Sequence, residues 1–215
     1  MSSGAERARV QVGLGFRALR GGGVVVAVTL ENDEPRVILS SFLATAAPGD
    51  RLSYEPYHVA FEMERGPDGG ASAEAAAAVA EGRKRQDALA AKGLADIVRT
   101  LREAGREPSV AALLVNRAGW ITDLLSYSLS FPDHPPVAEG LAVREALRFA
   151  LGRCGVEVAE IDEKSLPDLA SEVLGLGSAD LEARVKALGT VAGRPWRKEQ
   201  KLACLAAWIT LATST

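Results

Sequence analysis

The 215-residue sequence is poor in the residues that several common enzyme classes require. It contains two histidines, His58 and His134, and no Gly-x-Ser-x-Gly motif, which argues against a serine or cysteine hydrolase. Its two cysteines, Cys154 and Cys204, lack the spacing of a zinc site. Both cysteines lie in apolar helical patterns, which are typical of buried free thiols.

Long apolar runs are also missing. No run approaches the ~18 residues that a membrane span needs. Residues 1–9 are small and polar, without the apolar core of a signal peptide, and we expect them to be flexible. These features predict a cytoplasmic protein with no membrane contact. The net charge of −3 gives the chain as a whole no long-range attraction to nucleic acid or anionic lipid.

The part of the chain that most restricts the possible folds is a predicted antiparallel meander of three strands, at 10–19, 23–30 and 36–44. In the first strand, large apolar residues alternate with glycine or polar residues. Gly13 and Gly15 leave one face of this strand bare for the close approach of a helix, a strand or a ligand. The second is apolar at successive positions and should be internal, whereas the third is typical of an edge. The glycine-rich turn joins antiparallel strands and opens no helix, which argues against a dinucleotide site.

The remainder of the chain alternates between helical patterns and short apolar runs. Two segments, 48–71 and 118–136, read as irregular insertions, and a short helix is an open alternative for the beginning of the second. Two further strands are predicted at 110–115 and 156–161. Helices are predicted at 72–104, 137–153, 166–174, 179–188 and 195–212.

This order of elements predicts an α/β fold in a single domain covering 1–215. The mixed five-stranded sheet has three antiparallel strands, then two parallel ones, with helices on both faces. The order resembles the RNase H-like fold, the superfamily of RNases H, Holliday-junction resolvases and actin-like ATPases. Segments 10–44, 137–153 and 193–201 also resemble an uncharacterised family of bacterial proteins.

Membership of the superfamily would imply a nuclease site in which clustered acidic residues hold two metal ions. One of these acids, which anchors the site, would lie on the first strand. Residues 10–30 contain no Asp or Glu, and Gly15, Phe16 and Arg17 occupy the matching positions. An arginine there repels a divalent cation. We therefore expect no metal and no cofactor. Glu139 and Glu199 are the catalytic candidates that remain.

Three functions stay open at this point. The first is binding of nucleic acid or another phosphate-bearing ligand, because 178–215 contains six bases and only three acids. Several of these bases lie at the start of the last helix, where a helix N-terminus also favours phosphate. The second is a divergent nuclease that uses Mg or Mn, with Glu62 and Asp123 joining the two catalytic candidates. The third is a structural homodimer that contacts its partner through the irregular segments. The candidate ligand-binding residues are Arg17, His58, Asn116, Arg117, Arg144, Trp196, Arg197, Lys198 and Lys201.

Overall fold

The computed structural model describes residues 10–116 and 120–214, and its centre is one mixed sheet in the order β3-β2-β1-β4-β5. Strand β1 pairs antiparallel with β2 and parallel with β4, β2 pairs antiparallel with β3, and β4 pairs parallel with β5. The predicted sheet is confirmed, with β2 internal and β3 at an edge. The strands are β1 (Val10–Leu19), β2 (Gly22–Glu31), β3 (Glu34–Ala44), β4 (Arg106–Val115) and β5 (Glu157–Asp162).

Helices cover both faces of the sheet, as predicted. Helices α3 and α5 bury one face, and α6, α7 and α8 bury the other. Across residues 10–116 and 120–214, no helix combines the length and the apolar character that crossing a lipid bilayer requires. The helices are α1 (Arg51–Tyr54), α2 (Pro56–Glu62), α3 (Ala73–Glu103), α4 (Leu124–Ser130), α5 (Pro135–Cys154), α6 (Leu166–Leu174), α7 (Ser178–Ala192) and α8 (Lys198–Thr213).

The two segments predicted to be irregular contain short helices, which were not predicted in the first segment and were an open alternative for the beginning of the second. In 48–71, Asp50 caps α1 by accepting a hydrogen bond from the Leu52 N–H, and Pro56 opens α2. In 118–136, helix α4 occupies Leu124–Ser130. Helices of four to seven residues complete at most two turns, and they therefore leave no clear 3.6-residue pattern in the sequence.

The last helix begins at Lys198, three residues after the predicted start. Arg197 is extended, with φ of −101° and ψ of −174°, and its N–H donates to Gln200 Oε1 at 3.0 Å. Trp196 lies outside the helix, and its indole N–H donates to the Val185 carbonyl at 3.0 Å. Of the two cysteines, both free, Cys204 is buried as predicted, whereas Cys154 is only half-buried.

The bare face of β1 receives α8 at very short range. A methyl group at Gly13 would lie 2.5 Å from the Ala207 carbonyl oxygen, and one at Gly15 would overlap the Ala203 carbonyl oxygen. The glycines therefore accommodate a helix backbone, which is one of the three outcomes predicted for them. Because Ala207 lies over Gly13 and Ala203 over Gly15, α8 runs antiparallel to β1. Its first turn consequently reaches the carboxyl end of that strand.

Replacing Gly15 with alanine should force α8 away from the sheet. We expect the free energy of unfolding to fall by about 1–3 kcal/mol or more, because the added methyl group meets rigid backbone. Urea denaturation followed by circular dichroism measures the change. Gly152→Ala is the matched control, because that glycine lies in α5 with open space around it, and alanine should stabilise the helix by up to about 1 kcal/mol. Equal midpoints for the two variants would contradict the prediction.

Candidate functional site

Three parallel strands end at one side of the sheet, called the carboxyl edge here. Arg17, near the end of β1, lies opposite Leu114 of β4. Asn116 follows the end of β4, and Glu163 follows the end of β5. In open α/β sheets, ligands bind just outside this edge, so these side chains lie where a site is expected.

Arg17 holds two carboxylates together at the carboxyl edge. Its Nε and Nη2 atoms donate to Glu163 at 2.8 and 3.0 Å, which is the paired geometry of a strong arginine–carboxylate interaction. Its Nη1 atom lies 3.7 Å from Glu199 Oε1 on the first turn of α8. The Arg17 side chain is 19% exposed, so solvent screens the cluster only in part. This one cation therefore pairs with a carboxylate that follows β5 and with one on α8, and compensates part of their combined charge.

This arrangement does not fit the pair of metal ions that the RNase H resemblance implies. A two-metal site needs acids that converge on two cations roughly 4 Å apart. Here a guanidinium group lies between Glu163 and Glu199 and carries the positive charge itself. Among residues 10–116 and 120–214, no group of three or more His, Cys, Asp or Glu side chains is arranged to hold a metal ion.

The acids considered for a divergent nuclease are each engaged elsewhere. The Glu62 carboxylate pairs with Arg51, with nitrogen–oxygen distances of 2.6 and 2.8 Å. Asp123 caps α4, where its Oδ1 atom accepts hydrogen bonds from the N–H groups of Leu125 and Ser126, each at 3.0 Å. These contacts account for both carboxylates as parts of local structure.

Glu139 and Glu199 do not converge either, because they lie on helices that pack against opposite faces of the sheet. Glu139 is 1% exposed, and its Oε1 atom accepts the N–H groups of Tyr57 and His58 at 2.7 and 3.1 Å. It therefore caps the first turn of α2. His58 Nδ1 lies 3.7 Å from the same oxygen, so this histidine packs beside a buried carboxyl group.

Burial raises the pKa of the Glu139 carboxyl group to about 7, although the two backbone N–H groups favour its ionised form. Its second oxygen, Oε2, is buried and has no hydrogen-bond partner in the part of the chain that the structure describes. A protonated carboxyl group is consistent with both observations. Glu139 thus behaves as a structural acid whose charge depends on pH.

The first turn of α8 presents positive charge beside Arg17. Arg197 and Lys198 are exposed, and Lys201 is half-buried. Within the two described ranges, none of the three forms an ion pair. Because the N-terminus of a helix also carries partial positive charge, this turn is suited to an anion. Trp196, predicted as a ligand residue, instead anchors the turn to α7 through Val185.

A second cationic group flanks the end of β4 on the opposite side, beside α5. Arg144 Nη2 donates to Asn116 Oδ1 at 3.0 Å, so two of the predicted ligand residues are in contact. Arg117, another predicted ligand residue, lies outside the described residues. Glu163 was not among the site residues predicted from the sequence, although it follows the carboxyl end of β5 as Asn116 follows that of β4. A search of the positions just beyond the carboxyl ends of the predicted parallel strands would have found both residues.

Comparison with protein-family models and with curated proteins finds no match. Solved structures do match, among them two of Thermus thermophilus RuvC. One has 12% sequence identity and a TM-score of 0.51, covering 94% of this chain and 95% of RuvC. The other is RuvC in complex with a Holliday junction substrate, with 11% identity and a TM-score of 0.52, covering 95% and 94%. The chain therefore has the RNase H-like fold, as its order of elements predicted.

The buried carboxyl group of Glu139 predicts a pH-dependent stability. Between pH 4.5 and about 7 it stays protonated in the folded chain but ionises in the unfolded chain. The contribution of Glu139 to the free energy of unfolding should therefore be greatest below this window and fall by up to about 3 kcal/mol as the pH rises through it. Urea titrations at several pH values from 4.5 to 8 measure the fall.

Glu139→Gln is the matched control, because the amide keeps an oxygen for the Tyr57 and His58 N–H groups but does not titrate. The groups that face Glu139 (His58, Glu55 and Arg20) are retained in both proteins, so the two chains differ at one titratable position. The difference in stability between wild type and variant should shrink or reverse as the pH rises. Parallel pH profiles would refute the assignment.

Proposed function

We propose that this protein binds nucleic acid at the carboxyl edge of its RNase H-like sheet, without two-metal nuclease chemistry. The observation that carries the proposal is the cationic start of α8, where Arg197 and Lys198 form no ion pair with any described residue and lie beside the Arg17 ion pairs. Exposed Arg197 and Lys198 can each reach a phosphate group without first breaking an internal contact. Phosphate contacts of this kind supply most of the affinity in sequence-independent binding.

The Arg17 cluster supports the same proposal through its effect on charge. Glu163 and Glu199 would repel a phosphate chain if they were unpaired, and Arg17 compensates part of that negative charge. The cations of the α8 turn then dominate the field at this side of the molecule. RuvC, which shares the fold, has been solved with a Holliday junction substrate, and a nucleic-acid ligand for this chain is consistent with that likeness.

The divergent nuclease takes second place, because Glu62, Asp123, Glu139 and Glu199 make separate contacts. Incubation of the protein and labelled oligonucleotides with Mg²⁺ or Mn²⁺ tests it directly. Metal-dependent cleavage that Glu199→Gln abolishes would place the nuclease first.

The homodimer stays a prediction, and the molar mass of the protein in solution tests it.

Removing the two exposed cations should weaken nucleic-acid binding. We expect Arg197→Ala/Lys198→Ala to reduce affinity by about tenfold or more at low salt, and to lower the slope of log affinity against log salt by about 2. Fluorescence anisotropy with labelled single strands, duplexes and four-way junctions, from 20 to 200 mM salt, measures both quantities.

Lys84→Ala/Lys92→Ala is the matched control, because it removes the same charge from exposed positions on α3, which covers the opposite face of the sheet. Its affinity and salt slope should stay near those of the wild type. Equal losses in the two double variants would mean that binding follows net charge alone. Absence of binding by the wild type at 20 mM salt would overturn the proposal.

A further inference from the structure

A cavity of about 230 Å³ lies at the carboxyl end of β4, on the side of the sheet that α5 covers. Its apolar walls include Leu124 and Leu141, and its polar walls are formed by Asn116, Arg144, Glu145, Arg148 and Glu160. This combination of a few convergent polar groups with apolar walls is typical of small-ligand sites. Liquid water takes about 30 Å³ a molecule, so the cavity has room for a small polyatomic ion.

Arg144 is under-satisfied in this cavity. Its Nη2 atom donates to Asn116, a neutral acceptor, whereas its Nε atom is buried and has no hydrogen-bond partner among the described residues. Burial, followed by the charge of Arg148, lowers the pKa of the Arg144 guanidinium. A buried donor without a partner is costly, and more so when the group is charged. The site therefore lacks an acceptor that carries negative charge.

The nearby acids do not supply that acceptor. Three carboxylates act on Arg144 through their charge, and each is bound to a different arginine. Glu160 pairs with Arg148 at 2.6 Å. Glu145 pairs with Arg83 at 2.6 Å, and Glu163 pairs with Arg17 at 2.8 Å. No acid among the described residues is left over to make direct contact with Arg144.

We infer that the cavity binds an oxyanion of the phosphate class, held by Arg144 and Asn116. The Arg144 Nη hydrogens that do not contact Asn116 donate to the oxyanion, and Asn116, whose Oδ1 already accepts from Arg144, donates through its Nδ2. A tetrahedral anion with several acceptor oxygens matches this set of donors, and the leucine walls reduce competition from water. The oxyanion is either free phosphate or a phosphate group of a bound nucleic acid. The second source rests on the proposed function, whereas the first does not.

Calorimetric titration with inorganic phosphate tests the inference. We expect saturable binding to the wild type and a loss of at least about tenfold in Arg144→Gln, because a charge-assisted pair is removed. Arg144→Lys keeps the charge but not the planar donors, and should bind with intermediate affinity. Arg99→Gln, which removes an exposed arginine on α3 that is paired with Asp96, should bind phosphate as the wild type does.

Asn116→Leu is a second test should Arg144→Gln fail to fold, because Asn116 is exposed and contributes nothing to the core. It should also weaken phosphate binding. Unchanged affinity in the folded Asn116 and Arg144 variants, or no binding of phosphate by the wild type, would overturn the inference.

Competition between inorganic phosphate and a labelled oligonucleotide identifies the source of the oxyanion. Displacement of the strand by phosphate in the wild type, but not in Arg144→Gln, means that the cavity takes a phosphate group of the strand. Phosphate binding without displacement means that free phosphate is the ligand. If no oligonucleotide binds, the proposed function fails, and the titration with phosphate still decides the present inference.

Discussion

The feature on which the site depends is the close contact between the backbone of α8 and strand β1. Gly13 and Gly15 remove the side chains that would separate the two elements, and the helix carbonyls of Ala203 and Ala207 fill the space. This contact fixes the position of α8 along the strand. As a result Glu199 meets Arg17 at the carboxyl edge, and the cationic turn of α8 projects beside them.

The carboxyl edge is organised by arginine–carboxylate pairs on both sides of the sheet. Arg17 with Glu163, Arg148 with Glu160 and Arg83 with Glu145 leave few acids unpaired there. An anionic ligand therefore meets an edge whose negative charge is partly compensated. Arg197, Lys198 and Arg144 supply the cations that lack a carboxylate contact within the described chain.

The sequence was most informative where a local pattern has one physical meaning. The unbroken apolar run of β2 identified an internal strand, and the paired glycines of β1 indicated a close approach. The role of Glu139 could not be predicted, because it depends on tertiary contacts with the N–H groups of Tyr57 and His58, more than eighty positions away along the chain. Helices α1 and α2 were missed, and α4 was only an open alternative, because all three are too short to show a periodic pattern.

The positive charge between Glu163 and Glu199 belongs to a side chain of the protein itself. A metal ion in a comparable position can be removed by a chelator, exchanged for a competing ion, or lost when the supply of metal is low. Arg17 is covalently attached, so its charge cannot be chelated, exchanged or depleted in this way. The electrostatics of this edge are therefore set when the chain is synthesised, independently of the metal content of its surroundings.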